Sequence, residues 1–293
     1  MFAATLTPET KDLAVDHVAL ADHCGWLLGN GCDGIAVFGT TGEATSFSAK
    51  ERMDALETLV KNRIPANRLL VGTGCCALPD TVLLTRHAMD LGVGGVLVLP
   101  PFYYKGVDDN GVYDAYARVV QQLSDTRLEM YLYHFPQMTG VPLDRDLISR
   151  LTTAYPDTIV GIKDSGGDFG HMKMIRQSFP GLRVFPGTEI FLLDLLEMGG
   201  AGCISATINV TSRLAAEIHN RWQTDDVREL QQRLTLIRQT FDEFPLIAAL
   251  KHVMAEHTGS DGWRNVRPPI SPLDREQIQR LERALGSISF SVG

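Results

Sequence analysis

Short apolar runs recur along the chain, each closed by a turn and followed by a stretch with apolar residues at every third or fourth position. Eight runs read as strands: FAATLTP from Phe2, GIAVFGTTG from Gly34, LLVGTG from Leu69, GVLVLPP from Gly95, EMYLYHFP from Glu129, IVGIKDSGG from Ile159, LRVFPG from Leu182 and GCISA from Gly202. The intervening segments carry a helical period. In PDTVLLTRHAMDLG, Pro79 or Asp80 suits a helix start and Gly92 its end. Strands alternating with helices predict an α/β fold with a parallel sheet. Eight evenly recurring units predict one closed (β/α)8 barrel over residues 1–224, where a doubly wound sheet would show fewer strands. From 225 to 293 the strand pattern stops. DDVRELQQRLTLIRQTFDEF, PLIAALKHVMAEHTG and LDREQIQRLERALGS predict a C-terminal helical region.

Composition narrows the partners. At 293 residues and 44% hydrophobic the chain has ample material for a core. A formal net charge of −8 with scattered Lys and Arg argues against nucleic acid and anionic membrane, which need clustered positive charge. The N-terminus lacks a basic and then apolar leader, and no segment approaches the ~18 apolar residues of a membrane span, so a cytoplasmic, soluble protein is expected. Cys24, Cys32, Cys75, Cys76 and Cys203 are odd in number and lack paired spacings. They read as small buried thiols in a reducing compartment. In that compartment the NVT at Asn209 has no meaning as a glycan acceptor.

Catalytic groups in such a barrel stand at the C-terminal ends of strands and in the loops that follow. At the second strand GTTGE, Gly39 to Glu43, offers small residues whose backbone N–H groups suit a carboxylate or phosphate; a capped tight turn is the plain alternative. At the fifth, alternation puts Tyr131 and Tyr133 on one face, with Tyr133 nearer the mouth and His134 next to it; a tyrosine packed in the core is the alternative. At the sixth, four apolar residues precede Lys163. A lysine is ordinarily a solvated surface residue, but this one leaves the sheet at the barrel mouth. An amine attacks a carbonyl only when neutral, and desolvation favours that form. The strand thus delivers a desolvated amine, and DSGG turns the chain away to leave room for a substrate. Tyr103 and Tyr104 in PPFYYKG suit a site or a subunit contact. Two motifs are set aside. GNGCDG from Gly29 precedes a strand where a dinucleotide fingerprint would follow one, and Cys75, Cys76 and His87 lack a second pair of metal ligands.

GTTGE, YHFPQMTG, GIKDSGGD and GGAGCISA, in this order and spacing, resemble the dihydrodipicolinate synthase and N-acetylneuraminate lyase family of pyruvate-dependent class I aldolases. The likeness covers essentially the whole chain. It implies a barrel with C-terminal helices, a homotetramer built as a dimer of dimers, and a Schiff base between Lys163 and pyruvate or another 2-oxo acid, with no metal or organic cofactor. It also implies Tyr133 as proton carrier, Thr40 and Thr41 around the 2-oxo acid's carboxylate, and Thr41 passing protons from Tyr133 to a Tyr104 contributed by a neighbouring subunit. Gly187 and Ile204 would line the rim.

Where the synthases carry an arginine that grips the carboxylate of aspartate semialdehyde, this chain has Met138. Losing such a bond is worth about 1.5–3 kcal/mol. PGTEIF, from Pro186, also lacks paired aspartates, and Gln137, Ser165, Asp164 and Glu189 are candidates to bind an oxygenated tail. The expected function is an aldolase that cleaves or forms a 4-hydroxy-2-oxo acid of the 2-keto-3-deoxy sugar acid type, with pyruvate and an aldehyde as small-molecule partners. The alternatives are a 4-hydroxy-tetrahydrodipicolinate synthase, a sugar-acid dehydratase and a non-catalytic 2-oxo acid sensor.

Overall fold

A computed structural model describes residues 1–293. The strands are β1 (Phe2–Ala4), β2 (Gly34–Val37), β3 (Leu69–Gly72), β4 (Gly95–Val98), β5 (Met130–His134), β6 (Ile159–Asp164), β7 (Arg183–Pro186) and β8 (Ile204–Ser205). The helices are α1 (His17–Gly29), α2 (Ala49–Lys61), α3 (Leu78–Asp90), α4 (Asp109–Leu123), α5 (Pro136–Thr139), α6 (Arg145–Ala154), α7 (Phe169–Ser178), α8 (Leu192–Glu197), α9 (Ile208–Arg221), α10 (Val227–Asp242), α11 (Leu246–Thr258) and α12 (Arg275–Ser287).

All strand pairs are parallel, in the order β7-β6-β5-β4-β3-β2-β1-β8. The (β/α)8 barrel expected from the apolar pattern forms. Its eighth strand is shorter than GCISA promised, at two residues. Between β7 and β8 the ladder is replaced by two bonds, from the Ala201 N–H to the Val184 carbonyl at 3.0 Å and from the Cys203 thiol to the Pro186 carbonyl at 3.3 Å. GNGCDG is a helix stop. Helix α1 ends at Gly29, and Gly31 takes a φ of +96° before β2 begins.

The strands are apolar along their length because both faces are covered. One face meets the helices in a continuous core. The other fills the barrel with Ala4, Ala36, Leu70, Leu97, Tyr131, Tyr133, Phe185 and Ile204. No helix is long and apolar enough to cross a membrane. The cysteines depart from the expectation of five buried thiols. Cys24, Cys32 and Cys203 are buried, but Cys75 is half-buried and Cys76 exposed, because they lie in the turn after β3.

Asn209, in the NVT triplet, is fully buried and joins the barrel to α9. Its amide donates to the carbonyls of Ala4 and Ala206, each at 2.7 Å, and its oxygen accepts from the Leu6 N–H at 3.1 Å. That orientation makes His23 Nε2 a donor to the same oxygen, at 2.8 Å. Burial pushes His23 down to about 4 from an ordinary 6.5. A histidine kept neutral by folding contributes stability that is complete above pH 6.5 and lost as pH falls through its folded value. We expect the unfolding free energy to fall by about 3 kcal/mol on this account between pH 7 and pH 4. Denaturant titrations of wild type and His23→Gln across that range check it; an equally steep acid limb in the variant refutes the assignment.

The three C-terminal helices build a second apolar cluster that includes Leu6, Ala206 and Val210 of the barrel. A buried ion cluster lies nearby. Lys251 of α11 reaches Glu43 of the GTTGE turn, Glu9 at 3.0 Å and the Asn265 carbonyl at 2.8 Å, with all three charged side chains fully enclosed. Burial raises the Glu9 carboxyl above its ordinary value against the opposing pull of Lys251.

Candidate active site

Strand register brings the central pair together. β5 and β6 align Tyr133 with Lys163 and His134 with Asp164. Successive side chains alternate faces, so the first pair enters the barrel and the second turns outward to the helices. Lys163 Nζ donates to the Tyr133 hydroxyl at 3.2 Å, and Thr40 Oγ1, from the turn after β2, lies 3.2 Å from the same oxygen. With the amine as donor, the phenol proton points to Thr40, whose own hydrogen is left free to point elsewhere. Lys163 is only 4% exposed, and its amine lies 4.4 Å from the centre of the Tyr133 ring.

The turn beside them leaves several backbone donors unclaimed. The N–H groups of Thr40, Thr41 and Gly42 donate to no group of the chain, while the Glu43 N–H closes the turn on the Thr40 carbonyl at 3.0 Å. Gly42 is sterically required. A Cβ there would meet the Thr5 carbonyl oxygen at 2.9 Å. The glutamate that ends the motif faces away, to Lys251, and pins the turn from behind.

A cavity of about 590 Å³ opens over this group, lined among others by Thr40, Thr41, Tyr133, Lys163, Ser165 and Gly187. The approach of Ser165 explains the glycine at 187, since a Cβ would come within 2.0 Å of the serine hydroxyl. Ile204 faces the barrel interior and lies outside the cavity lining. Tyr104 stands 74% exposed in the loop after β4, in edge contact with Tyr103 and outside the cavity of its own chain. Met138, on α5, is 62% exposed at the cavity wall.

Three residues considered for an oxygenated tail are occupied elsewhere. The Gln137 amide donates to the Gly166 carbonyl, and Gln137 does not line the cavity. Asp164 accepts from His171 Nδ1 at 2.7 Å and from the Gly166 N–H at 2.8 Å. Glu189, fully buried, accepts from the hydroxyls of Ser205 and Thr207 at 2.6 and 2.5 Å.

His134, Asp164 and His171 bring ligand-type atoms within 4.8 Å of one another, but hydrogen bonds hold them in place. His134 Nδ1 accepts from the Leu143 N–H at 3.0 Å, and His171 Nε2 donates to the Leu143 carbonyl at 3.0 Å. Burial alone would lower His171; the bond and charge of Asp164 outweigh it and raise it, while burial pushes His134 down to about 4. The trio reads as a brace behind Tyr133 and Lys163, fixing the ends of β5 and β6 against α7.

Arg238 and Asp242 also line the cavity, and neither was singled out from the sequence. The four-residue spacing of an ion pair was visible, but nothing in it says that α10 crosses the barrel mouth. Arg238 Nε donates to both Asp242 oxygens, at 2.9 and 3.0 Å. Its Nη1 reaches Ser205 at 3.1 Å and Glu189 at 3.4 Å. Burial works against its charge, and the two carboxylates more than compensate, raising its pKa.

The model of the dihydrodipicolinate synthetase family matches residues 1–288. The chain belongs to that family. An uncharacterized DapA-like lyase of Chloroflexus aurantiacus is 36% identical over 97% of this chain and 95% of its own. A probable 2-dehydro-3-deoxy-D-pentonate aldolase of Escherichia coli is 29% identical over 83% of this chain and 82% of its own. Among solved structures, dihydrodipicolinate synthase of Agrobacterium tumefaciens superposes with a TM-score of 0.91 at 28% identity, covering 98% of each chain. As a member of the dihydrodipicolinate synthetase family the protein is an enzyme, a pyruvate-dependent class I lyase. Its relatives divide between synthase and aldolase names, so family membership leaves the second substrate open.

Proposed function

We propose that the protein is a Schiff-base-forming aldolase that cleaves or forms a 4-hydroxy-2-oxo acid, with pyruvate as one partner. The observation that carries this reading is the run Lys163, Tyr133, Thr40 on the cavity floor, beside unclaimed backbone N–H groups. The neutral Lys163 amine adds to the C2 carbonyl, whose oxygen leaves as water, giving a protonated imine. In cleavage the C4 hydroxyl loses its proton toward Tyr133 as the C3–C4 electrons move into the iminium. An aldehyde departs and an enamine remains; protonation at C3 and hydrolysis then release pyruvate. The imine is the electron sink, so the chemistry calls for no metal or organic cofactor. Thr40, Thr41 and the turn hold the carboxylate, with Gly187 shaping the space around the imine and Ile204 left to pack the barrel interior. The relay expected of Thr41 falls instead to Thr40, the threonine bonded to the Tyr133 hydroxyl, which in a homotetramer hands protons on to the partner subunit's Tyr104 and so accounts for that residue's exposure.

Met138 weighs against the synthase reaction, since a thioether supplies no charge to a semialdehyde's carboxylate. The test is direct pyruvate release, coupled to a dehydrogenase, from a panel of 4-hydroxy-2-oxo acids. Release of pyruvate is expected. A dehydratase would yield none directly, and turnover of aspartate semialdehyde alone would replace this reading with the synthase.

A further inference from the structure

With pyruvate held as an imine on Lys163, the outer cavity must receive the aldehyde half of the substrate. Outward from Lys163 it is walled by Phe135, Ile190, Phe191, Leu246, Ile247 and Ile270, all half-buried. Apolar side chains facing a cavity gain roughly 25 cal/mol for each Å² that a ligand removes from water. A polyhydroxylated tail would instead leave its hydroxyls against carbon, without the water they had in solution.

Beyond Ser165, which follows Lys163 by two residues, the polar part of that outer wall is Thr188, Asp242 and Arg238. The Thr188 hydroxyl accepts from the Ile190 N–H at 3.4 Å, and Asp242 is paired with Arg238. Arg238 Nη2 has no hydrogen-bond partner in the chain, although Nε and Nη1 are fully used. The guanidinium is therefore held rigidly by three of its N–H bonds and presents the remaining edge. Behind it, two hydroxyls lock the buried Glu189. Two carboxylates already face this one cation, so a carboxylate on the substrate would be the third. A neutral oxygen meets no such repulsion.

Resting on the aldolase reading, we infer that the aldehyde half of the substrate is uncharged, has an alkyl or aromatic body, and presents one hydrogen-bond acceptor to Nη2 of Arg238, which makes Arg238 a specificity-determining residue. The acceptor bond selects for orientation; the apolar wall selects for bulk.

The experiment begins with pyruvate and borohydride on the wild-type enzyme. Failure to trap an imine overturns the aldolase reading itself. With the imine established, pyruvate consumption is followed with benzaldehyde, a methoxybenzaldehyde, glyceraldehyde and succinic semialdehyde. The expected kcat/KM for the methoxybenzaldehyde exceeds those for glyceraldehyde and succinic semialdehyde by about ten- to a hundredfold. A preference for glyceraldehyde or the anionic semialdehyde overturns the inference and leaves the imine chemistry standing. Arg238→Met is expected to abolish the advantage of the methoxybenzaldehyde over benzaldehyde while pyruvate trapping persists; an advantage that survives removes Arg238 from the assignment. Because that variant strands Glu189, Arg238→Met with Glu189→Gln is the paired control, and the wild-type panel decides the substrate class without either.

Discussion

Lys163→Ala is expected to abolish the borohydride-trapped pyruvyl adduct that the wild type forms, and to lower turnover by on the order of 10⁵-fold or more. The magnitude follows from removing a nucleophile held in place, for which effective molarities of about 10⁵–10⁸ M are the measure of what positioning contributes. The fold should survive. The amine's hydrogen bond is to Tyr133, whose hydroxyl keeps Thr40 as a neighbour, and no ion pair is broken. Lys163→Arg is the informative companion, because it keeps a long nitrogen-bearing side chain at the site without a competent nucleophile. Intact-mass spectrometry with circular dichroism on the three proteins checks the expectation. An adduct on Lys163→Ala would assign the imine to another lysine; none on the wild type would overturn the aldolase reading, in which pyruvate is the bound oxo acid.

Tyr133→Phe should separate imine formation from bond cleavage. The ring remains stacked on Phe135, at 5.9 Å between centroids, so packing is preserved. Only the oxygen shared by Lys163 and Thr40 is lost. Proton transfer by a positioned side chain typically contributes 10²–10⁴-fold, and a loss of about that size in kcat is expected with the trapped adduct still present. KM should change far less, because in the proposed reading the GTTGE turn, which the substitution leaves intact, holds the carboxylate. A variant that retains kcat would transfer the proton role to Thr40 or to another donor, and one that loses the adduct entirely would show that the phenol is needed before the imine is made.

The barrel was legible because burial on both faces writes each inner strand as an unbroken apolar run, and Lys163 was legible as the polar residue that ends one. What joins Lys163 to Tyr133 is strand register, which follows from the closed ring and is written in neither segment alone. Alternation did carry one further message. Asp164 and His134 directly follow Lys163 and Tyr133, so each must face the opposite side of the sheet, and neither can turn toward a substrate inside the barrel. Glu189 had no such rule, since it begins a short helical turn after β7. Arg238 was hidden for a different reason. Its sequence describes an exposed ion pair on a helix, and only the packing of α10 across the barrel mouth makes that pair a cavity wall.

The ion cluster behind GTTGE sets the order in which the enzyme comes into being. Glu9 and Glu43 precede β3 and Lys251 follows β8, so the turn is synthesised well before its fastening. A nascent chain that has completed all eight strands still lacks Lys251, and its Glu9 and Glu43 have no cation between them. The GTTGE turn is locked only once α11 has been made, and a polypeptide that stops after β8, even with an intact barrel sequence, would lack that fastening.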